Sequence, residues 1–139
     1  MTKEDRVTAG NSDDGHGHCF WVVPDGYLAS SPGVEPGPSG YFSHESVCIL
    51  NDGSAPAHCV LHLYFEHQDP LAGIPFEVGA FRSLHFRLDQ VRDNEGQLLP
   101  RDTPYSLTVE SDRKIVVQHS RLDTTQKNLA LFTTMAFPA

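Results

Sequence analysis

The residues best equipped for chemistry lie together in Gln118-His119-Ser120-Arg121-Leu122-Asp123, which puts an amide, an imidazole, a hydroxyl, a guanidinium and a carboxylate in one short stretch. They follow Ile115-Val116-Val117, a β-branched apolar run that reads as a buried strand entered from the charged turn Ser111-Asp112-Arg113-Lys114. The polar hexad is therefore expected at a strand end, on the rim of a core. Desolvating such groups is costly unless each finds a partner, so they either knit the rim together or face a polar ligand. Arg121 and Asp123 share one side of an extended chain, where the same pair could equally brace loops or subunits.

Eight histidines raise the question of a metal, and spacing answers part of it. His58 and His62 would stand about 13 Å apart on a strand that rises ~3.3 Å per residue, too far to chelate one ion as neighbours. A site built from His44, His62 and His85 on different strands has no ligand motif behind it, and His16-Gly17-His18-Cys19 offers suitable ligand types without a fixed scaffold. Neither a metal nor a cofactor is expected. Ser43-His44-Glu45 holds hydrolase-like residue types, but adjacent residues of an extended chain point to opposite faces. No nucleophile elbow, phosphate loop or dinucleotide fingerprint is present, so nucleophilic catalysis is not expected. What remains is His62, Tyr64, Glu66, His85, Arg87, Gln118 and Ser120 on otherwise apolar strands. With Trp21 or Tyr27 alongside, such a face would suit a polyhydroxylated ligand; an ordinary wet sheet face uses the same residues.

The elements that must position these groups read as strands. With 139 residues the chain has the length of one domain, and 11 Gly and 10 Pro beside 20% charged residues favour an all-β fold rich in turns. Residues 1–18 are polar and without periodicity and read as a disordered tail; residues 19–139 read as the domain. Strands are expected at 19–23, 45–50, 57–66, 80–88, 105–110, 114–120 and 129–137, with a long Pro/Gly loop over 24–40 and another around Pro70, Gly73 and Pro75. The Asn51-Asp52-Gly53 turn predicts a hairpin between the second and third of these strands, and Ser111 to Lys114 predicts another. Only 124–130 could form a helical turn. Seven or eight short antiparallel strands indicate a single-domain β-sandwich, jelly-roll-like in outline.

The formal net charge of −8 makes generic nucleic-acid binding unexpected. The first residues lack an apolar signal region, and no long uncharged apolar run occurs, so a cytoplasmic protein without membrane insertion is expected. Cys19, Cys48 and Cys59 form an odd count without paired spacing and read as buried free thiols.

Four segments carry a further signal: WVVPDGYL at 21–28, FSHESVCIL at 42–50, RSLHFR at 82–87 and ESDRKIVVQHSRLD at 110–123. Together with the alanine-rich end near 129–136 they resemble the sensory rhodopsin transducer family, from about Cys19 to the C-terminus. The resemblance implies a cytoplasmic β-sandwich that assembles as a homotetramer and has no enzymatic activity. It also implies a wider group interpreted as small-molecule, sugar-binding domains. By motif position it points to Trp21, His44, Glu45, His85, Arg87, Gln118, Ser120, Arg121 and Asp123 as ligand-binding residues. The expected function is a non-catalytic sensor that binds a sugar-like metabolite and signals to a protein partner. Two alternatives stand beside it: a protein-only signalling adaptor of a photoreceptor or other membrane receptor, and a metal-dependent carbohydrate-active enzyme. The tail and the long loop between Tyr27 and Tyr41 depart from the family pattern.

Overall fold

The computed structural model describes residues 15–30 and 41–139. The greater part of the expected tail and of the first long loop lies outside these residues. Eight strands are formed: β1 (His18–Gly26), β2 (His44–Asn51), β3 (Ala57–Phe65), β4 (Leu71–Val78), β5 (Arg82–Arg87), β6 (Tyr105–Asp123), β7 (Ala130–Met135) and β8 (Phe137–Pro138). Among the described residues the only helical element is a single 3₁₀ turn, Leu88–Gln90, and no helix is long and apolar enough to cross a membrane. The all-β expectation holds.

β6 organises the molecule. Its first half pairs with β1 and β3, giving an antiparallel array ordered β8-β1-β6-β3-β4; its second half pairs with β2 and β7, giving β5-β2-β6-β7. One continuous strand thus serves two layers, and the inward side chains of both, among them Val47, Leu61, Leu63, Leu107, Val109, Ile115 and Val117, form a single buried cluster.

This corrects the second predicted hairpin. Ser111 to Lys114 is a corner inside one strand, not a turn between two. A strand that leaves one sheet for another runs short of ladder partners for a few residues, and side chains make up the deficit: Asp112 accepts from the His58 backbone N at 2.8 Å, and Ser111 Oγ accepts from Arg113 N at 3.2 Å. The first predicted hairpin also fails. β2 lies between β5 and β6, and β3 between β4 and β6. The Asn51-Asp52-Gly53 turn instead leads the chain from one layer to the other, held by the buried Asn51. Its Nδ2 donates to the carbonyls of Ala55, Val78 and Gly79 at 2.9, 3.0 and 3.1 Å.

β4 replaces the predicted loop around Pro70, Gly73 and Pro75. Proline is tolerated because β4 is an edge strand, where a missing N–H leaves no ladder bond unmade. The predicted terminal strand is two strands: buried Ala136 donates to Val117 O at 3.1 Å, and the chain then crosses to set Phe137 opposite Val22. The three thiols are free, but only Cys59 is buried; Cys48 is half-buried and Cys19 exposed.

Candidate functional site

Strand parity decides where the polar hexad goes. In the antiparallel β2–β6 pair, residues directly opposite share a face, and Glu45 stands opposite Arg121. Val117, His119 and Arg121 continue one inward-facing row, so an imidazole and a guanidinium extend the apolar core to its rim.

Glu45 is completely buried, and its carboxylate gathers four donors. Oε1 accepts from the Tyr27 backbone N at 2.5 Å and from Arg121 Nε at 2.7 Å. Oε2 takes the Tyr105 hydroxyl at 2.8 Å and His119 Nε2 at 2.6 Å. With the carboxylate ionised, Nε2 is the protonated nitrogen of His119. Burial alone would raise the Glu45 pKa, but the hydrogen bonds from His119, Tyr27 and Tyr105 outweigh it and hold the carboxyl below its ordinary range. The same contacts push the Tyr105 phenol up, through burial and then the Glu45 charge, so Tyr105 stays a donor. Burial would lower Arg121, but its hydrogen bond to Glu45 reverses the direction and keeps the guanidinium charged.

A second layer closes over this knot. Phe132, opposite Arg121 on β7, places its ring 5.1 Å from the guanidinium carbon and 6.2 Å from the His119 ring. Arg121 Nη2 reaches exposed Asp25 at 3.5 Å. The segment after β1 is clamped as well: Asp102 accepts from Ser30 N at 2.9 Å and from the Tyr27 hydroxyl at 3.1 Å, and Arg101 Nη1 donates to Ala29 O and Ser43 O at 2.8 and 2.9 Å. Chemically the knot is closed: four donors occupy the four lone-pair positions of Glu45, so it has no open position for abstracting a proton from a bound substrate. It ties the end of β1, β2, both halves of β6 and β7 to one buried charge.

The nine residues singled out from the sequence therefore fall in four places. Glu45 and Arg121 meet in the knot. His44, His85, Arg87, Gln118 and Ser120 lie on the outer face of the β5-β2-β6-β7 array. There the register aligns Arg87, Ser46, Ser120 and Thr133 in one row and His85, Cys48, Gln118 and Met135 in the next. A shallow cavity of about 230 Å³ runs along the second row. Trp21 is buried, with Nε1 donating to His18 O at 3.0 Å and Ile115 O at 3.1 Å, so its ring cannot serve as a stacking platform on that face. Asp123 ends β6 by accepting from Thr125 N at 2.8 Å and from its hydroxyl at 2.6 Å. His62 and Tyr64, grouped above with His85 and Gln118, sit on β3 in the other array. Tyr27, Tyr105 and Phe132 complete the knot and were not among the nine; the signal for His119 was its parity with Val117 and Arg121. No cluster of three or more His, Cys, Asp or Glu side chains among the described residues could hold a metal ion.

The fold and this site define a β-sandwich protein whose two layers share one long strand and are pinned at the rim by a buried, ion-paired carboxylate. The model of the Anabaena sensory rhodopsin transducer family matches residues 16–138, and the chain belongs to that family. Among solved structures, Thermotoga maritima 1070 is similar with a TM-score of 0.76 and 32% identity, over 88% of this chain and 96% of that one. The Anabaena sensory rhodopsin transducer is similar with a TM-score of 0.68 and 35% identity, over 78% of this chain and 91% of that one. No curated protein matches the chain.

Proposed function

We propose that the chain is a non-catalytic cytoplasmic signalling adaptor that couples a membrane receptor of the sensory rhodopsin kind to downstream proteins. The observation that carries this reading is the family match over 16–138 together with the 35% identity to the Anabaena transducer. The closed geometry around Glu45 agrees with it, because a carboxylate that pins strands is a scaffold for a binding surface. A homotetramer suits an adaptor that presents several equivalent surfaces to its partners. Titration of the full chain into a sensory rhodopsin embedded in lipid nanodiscs, in darkness and under illumination, should give saturable binding. Absence of binding in both states removes the adaptor reading for this class of receptor.

A second reading, a sugar-like ligand on the outer face of the β5-β2-β6-β7 array, is favoured by the two polar rows and the cavity of about 230 Å³ beside them. A ligand at a hundredfold excess over Kd adds about 2.7 kcal/mol of stability. A thermal-shift screen of sugars and sugar acids should then return a hit that Gln118→Ala abolishes. A silent library removes this reading and leaves the adaptor intact.

A further inference from the structure

The two layers share β6, and on one side they end in β4 and β5. There the edges of β4 and β5 face one another without forming a ladder: among the described residues β4 pairs only with β3, and β5 only with β2. Phe76 and Phe86 touch across the gap, with ring centroids 4.8 Å apart. Ile74, Leu84 and Phe86 point toward the core from this side yet stay half-buried, because no strand among the described residues covers them. Beside them lies a cleft of about 390 Å³, its rim formed by Arg87, Gln90 and Arg92.

The two edges are not equivalent. β4 carries Pro75, which has no N–H, and Gly73 at a φ of +75°. Both interrupt an edge as a hydrogen-bonding template. β5 (RSLHFR) has neither proline nor glycine and presents an unbroken edge. Its charges also set it apart. Arg82, Arg87 and Arg92 stand against the single carboxylate of Asp89 over residues 82–92, in a chain whose net charge is −8. Asp89 takes Arg87 in a bidentate pair at 2.8 Å, while Arg82 and Arg92 donate to the neutral carbonyls of Phe81 and Gly96 at 3.0 and 2.7 Å. Antiparallel pairing of β5 with a second copy of itself would bring two edges of net positive charge together, which disfavours self-association through this edge. An acidic strand meets the opposite situation.

We infer that β5 is a strand-acceptor edge. It takes an extended acidic segment of a partner protein, whose backbone pairs with Arg82–Arg87 while alternate apolar side chains enter the cleft over Ile74, Leu84 and Phe86 and its carboxylates meet Arg87 and Arg92. This deepens the adaptor reading by naming how a partner segment is held.

The test uses the full chain and two fluorescein-labelled ten-residue peptides, one alternating Val with Glu and the other Val with Lys. The Glu peptide should bind saturably in fluorescence anisotropy, and the Lys peptide at least about tenfold more weakly, because charge complementarity selects the partner. Arg92→Glu, at an exposed position outside the strands, should weaken the Glu peptide by about tenfold, and N-methylation of alternate peptide nitrogens should abolish binding. Hydrogen exchange should slow along Arg82–Arg87 on peptide addition and stay unchanged along Ala130–Met135. Equal affinity for both peptides, protection on β7 in place of β5, or no saturable binding overturns the inference. None of these outcomes bears on receptor binding, so the adaptor reading and the strand-acceptor site fail separately.

Discussion

Glu45→Ala should destabilise the protein by about 3–5 kcal/mol in urea unfolding, because it leaves the Arg121 guanidinium facing a carboxylate-shaped void and strips His119 and Tyr105 of their acceptor. Set against a typical stability of about 5–15 kcal/mol, that is a large fraction of the total. Glu45→Gln should cost less, about 2 kcal/mol, since an amide still fills the space and accepts on one side, though it cannot neutralise Arg121. The double variant Glu45→Leu/Arg121→Met should recover much of the loss of Glu45→Ala, because apolar groups of similar volume often replace a buried pair without penalty.

The pH profile separates charge from packing. The Glu45 pKa is lower in the folded protein than its ordinary value of 4.5, so the unfolded chain binds this proton more tightly. Its contribution is complete above 4.5 and is lost as pH falls through the lowered folded value. Asp102, Asp112 and Asp123, all lowered, act in the same direction. Wild-type stability should therefore fall on acidification below about pH 4.5, and Glu45→Gln should flatten that decline. An alanine variant within 1 kcal/mol of wild type would mean that the knot contributes nothing of note.

Gly26→Ala should cost nearly as much without touching a charge. Gly26 pairs with Tyr105 across β1 and β6, and a Cβ there would lie inside the van der Waals envelope of the Tyr105 ring. The ring is buried and has no room to retreat except by withdrawing its hydroxyl from Glu45. Overpacking typically costs about 1–3 kcal/mol, and loss of a hydrogen bond to a charged group about 1.5–3 kcal/mol. A shift of the urea midpoint equivalent to about 3 kcal/mol or more is expected. Combining Gly26→Ala with Tyr105→Leu should give a loss smaller than the sum of the two single changes, because both act on the same contact. Strict additivity would place the effect of Gly26→Ala elsewhere.

Both predictions depend on pairings between distant parts of the chain, and there the sequence was least informative. Turn residues such as Asn51-Asp52-Gly53 and Ser111-Asp112 marked where the chain bends, because backbone preference is local. They did not show what lies on the far side of the bend, so two hairpins were expected where the chain crosses between layers or passes a corner inside β6. Pro75 argued for a loop because its missing N–H weighs against a central strand, while the edge position that removes this penalty is a property of the assembled sheet.

By itself, the sequence determined the all-β class, the approximate places of most strands and the family. Alternation, β-branching and motif spacing are written residue by residue. Only the tertiary structure decided that Glu45 receives Arg121 across 76 positions and Tyr105 across 60, that Trp21 turns into the core, and that the other polar residues divide between two faces. A side chain's role is set by what the opposite strand places against it, and that register comes from packing all the strands at once.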